Sequence, residues 1–255
     1  MPGHSTWLTF VLAGLKDNLS SRAQLLGQSI IGGRAPTWMS FEPIAAALFV
    51  AVVVLTLALL ARRRLANIDD SIIPDDRLTL RTFMEVFLGY FYDLAKSIMG
   101  AERAKKYFPL IGASAIFVFF SNVMALLPGM PVATSHLNIT LGCALVVFIL
   151  FNVYGLIVNG WGYIKHLAGP AWYLAWLVLP IELISLCVRP ITLAVRLMLN
   201  MSVDHLILGI FVSLVALVIP VPLMVLGCLI VLIQTLVFTL LTTIYISLAT
   251  EHEHH

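Results

Sequence analysis

The chain has 255 residues, of which 60% are hydrophobic and 11% charged, with a formal net charge of +2. Soluble domains carry about a quarter charged residues, so this composition, with a mean hydropathy of +1.00, describes a polytopic membrane protein. Such a weak positive balance, with no Lys/Arg-rich block interleaved with aromatics, excludes nucleic-acid binding as its main business.

WLTFVLAGL, near the start, is apolar but short, and no basic run precedes it. It reads as an amphipathic or partly embedded segment and not as a cleaved signal peptide, so residues 1–43 are expected not to span. From 44 to 255 the chain is expected to form a single membrane domain. A spanning helix needs about 20 mostly apolar residues; the stretch 44–60 nearly supplies them and stops at Arg62, Arg63 and Arg64. The region from Ala61 to Tyr107 holds nine Lys or Arg residues, whereas the loop Pro128 to Asn138 and the turn at Pro220 hold none. The positive-inside rule therefore puts Ala61 to Tyr107 in the cytoplasm or matrix and the N-terminus on the other side.

Within the basic region, residues 77–100 repeat apolar positions at helical spacing with Asp, Glu and Lys between them, the pattern of an amphipathic helix lying at the interface. Spans are expected at 108–127, which ends at the Pro128-Gly129 breaker, and at 139–158, the two forming a helical hairpin. Asn122, Asn138, Asn152 and Asn159 in or beside it read as interhelical hydrogen-bonding residues. Cys143, Cys187 and Cys228 have neither CxxC spacing nor a His in ligand register, so no disulfide, metal or cofactor is expected.

A very long apolar run, 172–219, comes next, about twice what a perpendicular span requires. It is either two helices broken near Pro190 or one steeply tilted helix kinked at Pro180 and Pro190. Four charges interrupt it: Glu182, Arg189, Arg196 and Asp204. At roughly 100° per residue, these four share one sector of about 120° with Ser185, Thr192 and Asn200. One face of the helix is thus a polar ladder. A charge at mid-bilayer costs about 2.5–3.5 kcal/mol on insertion scales, and membrane proteins keep such residues along ion pathways or in paired sites. A turn at Pro220 and Pro222 leads into the last span, 222–249, whose Thr239, Thr242 and Thr243 are either backbone-bonded or water-holding hydroxyls. The fold expected is an all-α membrane protein of about five spans with an interfacial helix and a long, tilted C-terminal helical hairpin.

PITLAVRLMLNM, followed a helix later by LIQTLVFTLLTTIYISLA, resembles subunit a of the rotary F-type ATP synthases. The resemblance rests on an Arg with Asn four residues later, a Gln in the final helix, Glu182 and Arg189 in register, the LLPG turn and an acidic, His-containing tail, over about residues 40–255. It implies that Arg196 is the stator arginine facing the carboxylates of a ring of c subunits, with Gln234 beside it and Asn200 one turn away. Glu182 and Ser185 would line a half-channel open to the cytoplasm or matrix, and His205 the opposite one. Relatives with His there often carry an acidic residue seven positions before the glutamine. Here that position is Gly227, and Asp204 is the carboxylate available to replace it.

The resemblance further implies a proton-translocating subunit that is not itself catalytic. Its partners would be the c-ring, the peripheral stalk b subunits, the remaining synthase subunits and membrane lipid, in a bacterial inner membrane or, alternatively, the mitochondrial one. From the residues alone two other classes stay open: a self-contained ion transporter using the Glu/Arg ladder, and an intramembrane enzyme, although neither an HExxH nor a GxSxG motif is present.

Overall fold

In the computed structural model the described residues are 14, 42–65, 79–126, 133–160, 162, 175–214 and 220–250. Among them the secondary structure is helical: α1 (Glu42–Leu65), α2 (Leu80–Met99), α3 (Ala101–Ala125), a 3₁₀ turn (Ala133–Ser135), α4 (Leu137–Asn159), α5 (Ala175–Leu214) and α6 (Pro220–Ala249). Five helices, all but α2, are long and apolar enough to cross a membrane. The chain is an all-α multi-pass membrane protein. Of the expected N-terminal segment 1–43 only residue 14 and residues 42–43, already in α1, are described, and the ends of the long apolar run at 172–174 and 215–219 lie outside the described residues.

α2 begins where Thr79 accepts a hydrogen bond from the Thr82 amide at 3.4 Å, a side-chain N-cap that satisfies one of the first-turn donors. It ends at Gly100, whose φ of 81° and ψ of 164° lie in a region nearly restricted to glycine. The same glycine precedes α3, so one residue joins an interfacial helix to a span. The sequence reading had the inner loop run to Tyr107, but the helix already starts at Ala101. AERAKK contains good helix formers whose charges had marked it only as hydrated.

α5 is one continuous helix of 40 residues with Pro180 and Pro190 inside it. At 1.5 Å per residue it is about 60 Å long, twice the hydrocarbon thickness of about 30 Å. The two prolines leave the helix unbroken, which decides between the alternatives for this run.

α6 packs against α2, α3, α4 and α5, α4 lies along α5, and α1 sits at the edge against α3. The main core joins α2 through α6, with Ala104, Ala194, Leu197, Phe238 and Ile246 wholly buried. Alanines at these contacts let backbones approach closely, which is how helices associate where lipid is as apolar as the side chains. Aromatic stacking supports the α2–α3 junction, with Phe87 and Phe119 centroids 4.9 Å apart. Asn159 on α4 donates across to the Ala249 carbonyl on α6 at 3.2 Å, while Asn152 bonds back to Phe148 in its own helix.

Candidate functional site

The polar ladder of α5 lies on the boundary between two surfaces. One edge turns outward: Arg196 and Thr192 are exposed, in a stripe with Val188, Leu199, Val203 and Leu206. Among the described residues, no hydrogen bond or ion pair reaches Arg196. A guanidinium set in an apolar stripe near the middle of a membrane-length helix cannot face hydrocarbon without the cost already given. The position calls for an anion from outside the chain.

The other edge meets α6. Asn200 Nδ2 donates to Gln234 Oε1 at 2.6 Å, near the midpoints of both helices. Gln234 is 2% exposed, and its Nε2 has no partner among the described residues. A buried amide with an unused donor costs about 1–3 kcal/mol, and its partner Asn200 is one helical turn from Arg196.

Toward the inner end, Arg189 lies 3.8 Å from Glu182 and 5.3 Å from the centre of the Tyr245 ring on α6. The pair is partly open to its surroundings, and Ser185 between them is half-buried. Along the axis Glu182 is about 21 Å from Arg196 and Asp204 about 12 Å in the opposite direction.

Toward the outer end, a cavity of about 70 Å³ lies between α3, α5 and α6, with Asn122, Met201, Asp204, Leu208, Leu223 and Gly227 in its wall. It has room for about two or more waters. Asp204 and Gly227 thus line one space. A Cβ at Gly227 would meet Leu126 Cδ2 at 2.7 Å, so α6 approaches the end of α3 closely here. Asn122 is fully buried, its Oδ1 accepting from Thr134 Oγ1 at 3.1 Å. Ser202 Oγ donates to the Ser135 carbonyl at 3.1 Å. The backbone of His205 is helical, but its side chain lies outside what the structure describes.

Thr239, Thr242 and Thr243 are buried and donate to carbonyls four residues back at 2.8 to 2.9 Å, the backbone-bonded alternative. Sequence reasoning missed Thr134 and Ser202, which tie the outer turn to Asn122 and α5. Neither has a periodic or charge signature. Among the described residues no cluster of His, Cys, Asp and Glu is arranged to hold a metal ion.

Fold and site together define a polytopic helical membrane protein whose polar seam runs between two long C-terminal helices and carries an outward-facing arginine along its length. Comparison with known proteins gives the seam a family. The ATP synthase A chain family matches residues 44–247, and the chain belongs to that family. It is 54% identical to ATP synthase subunit a of Sorangium cellulosum, with all of both chains covered. It is 43% identical to ATP synthase subunit a 1 of Syntrophotalea carbinolica over 77% of this chain and 80% of that one. With ATP synthase subunit a of Geobacter sulfurreducens it shares 41% identity over 69% of this chain and 76% of the relative. Membership makes it a membrane-sector subunit and not a catalytic one, of a kind found in bacteria.

Proposed function

We propose that this chain is the proton-conducting stator of an F-type ATP synthase in a bacterial inner membrane, its residues 44–255 forming one membrane domain held by b subunits beside a ring of c subunits. The observation that carries the reading is the exposed Arg196, without an anionic partner among the described residues, in an apolar stripe of α5. Carboxylates of a turning ring are the partner that such a cation requires.

Arginine suits the task because its charge persists at any physiological pH and it does not pass on a proton. An opposite charge at close range lowers a carboxylate's pKa by about 1 to 3 units, or about 1.4 to 4 kcal/mol. A membrane potential of about 200 mV supplies about 4.6 kcal/mol per proton. The two are comparable, so Arg196 biases release of the ring proton without trapping the ring. Asn200 and Gln234 hold the two helices together beside it, leaving Gln234 Nε2 to orient water or the guanidinium.

The half-channels are offset along α5. Asp204 with the cavity it lines, together with His205, forms the outer one, and Glu182 and Ser185 the inner one, with Arg189 beside Glu182. Arg196 stands between, and its fixed charge blocks a direct leak. Each proton therefore crosses only by riding the ring, which couples flow to rotation and to ATP synthesis on the partner subunits.

The test is Arg196→Ala and Arg196→Lys in the assembled complex. Both are expected to abolish proton-driven synthesis while assembly stays near normal. Normal coupled synthesis in either variant overturns the reading.

A further inference from the structure

The outer turn Ala133–Ser135 is fastened twice, by Thr134 to Asn122 in the cavity wall and by Ser202, two residues before Asp204, to the Ser135 carbonyl. The next residue, His136, occupies the N-cap position of α4. Its carbonyl accepts from the amides of Ile139 and Thr140, but its side chain makes no capping bond. The residue is exposed at its surface while its inner side is desolvated by the surrounding protein, so one edge of the imidazole meets water at the rim of the turn that is tied to the cavity wall. α1 packs against this same turn, and Glu42 in its first turn is close enough to act electrostatically on the imidazole.

Of the elements packed here, α1 brings Glu42 and α5 brings Asp204, with the His205 side chain undescribed. α4 has no Asp, Glu, Lys or Arg, and the charges of α3 lie at its opposite end.

We propose that His136, set beside Glu42, is the group that takes protons from the outer water and delivers them to the cavity in front of Asp204. The inference rests on the half-channel reading above and adds its entrance. In the step, one ring nitrogen accepts a proton from outer water, Glu42 steadies the brief imidazolium, and the proton passes to cavity water and then to the Asp204 carboxylate. The imidazole returns to neutral and no other bond changes. Burial holds the imidazole pKa below its usual 6.5, partly offset by Glu42, so the proton is released and not stored.

The experiment uses the whole synthase in proteoliposomes, with ATP synthesis measured against outer pH at fixed inner pH and potential. His136→Gln is expected to lower synthesis by about tenfold at an outer pH of about 8, where protons are scarce, and little at about pH 6. Glu42→Gln is expected to shift the profile the same way, less far. Glycine is nearly as good an N-cap as the polar residues, so His136→Gly keeps the fold, and imidazole added to the outer side is expected to restore its rate. An unchanged profile, or a uniform loss that imidazole does not rescue, overturns the proposal. If Arg196→Ala abolishes synthesis while His136→Gln leaves the profile unchanged, the entrance alone is wrong. If Arg196→Ala retains synthesis, the half-channel reading fails with it.

Discussion

Gln234 has one amide oxygen engaged and one amide nitrogen idle, and the two halves respond differently to mutation. Asn200→Ala removes the donor to Oε1 and leaves a 2% exposed amide with neither half satisfied, an expected loss of about 1–3 kcal/mol. Gln234→Leu removes the idle donor together with the acceptor, and the half-buried Asn200 retains a route to water, so it is expected to cost less. Thermal unfolding of the detergent-solubilised complex checks the order; equal losses would mean that the bond is peripheral. His136 gives a pH dependence whose sign follows from its depressed pKa. The unfolded chain binds its proton near 6.5 and the folded one only at lower pH, so protonation favours unfolding. Stability is therefore undiminished above about pH 6.5 and falls as pH drops through and below that value. His136→Gln is expected to flatten that part of a melting-temperature profile, and an unchanged slope would show that the imidazole is not responsible.

At the scale of elements, hydropathy made the helices legible because a span is little more than length and apolarity. Their packing was not legible, since a single helix's periodicity finds a polar face without saying what that face meets. The ladder of α5 was placed in one sector, yet Arg196 opens outward while Arg189, Asn200 and Asp204 meet Tyr245, Gln234 and the cavity beside Gly227. Contacts with α6, and with α3 at the cavity, make that division, and a single helix's periodicity does not show them. The junction of α2 and α3 was missed for a different reason: charge in AERAKK hid a helix, and Gly100 alone marks the break. Gly89 in α2 and Gly100 at its end provide a test, because neither has an atom within 4 Å of an added Cβ. Gly100→Ala forces a side chain onto positive φ and is expected to cost about 1–3 kcal/mol, whereas Gly89→Ala, inside the helix, is expected to stabilise by about 0.5–1 kcal/mol. Melting temperatures moving in the same direction would contradict this account of the junction.

For the whole molecule the controlling feature is charge asymmetry. Glu42, the outer turn and the Asp204 cavity lie toward one end of the bundle, and the α2–α3 junction, Glu182 and Arg189 toward the other. The nine basic residues between Ala61 and Tyr107 are expected to set which end is inside, since lysines and arginines are retained on the cytoplasmic face. On the proposed reading the direction of proton flow depends on this choice: reversing the chain would exchange the roles proposed for Asp204 and Glu182. Ser97 and Asn138 are exposed at the two ends and serve as reporters once Cys143, Cys187 and Cys228 are replaced by alanine. A membrane-impermeant thiol reagent applied to the outer face of intact cells is expected to modify Asn138→Cys and spare Ser97→Cys. Inverted vesicles are expected to give the opposite pattern. Modification of Ser97→Cys from outside would place the basic end on the wrong side and reverse the assignment of both half-channels.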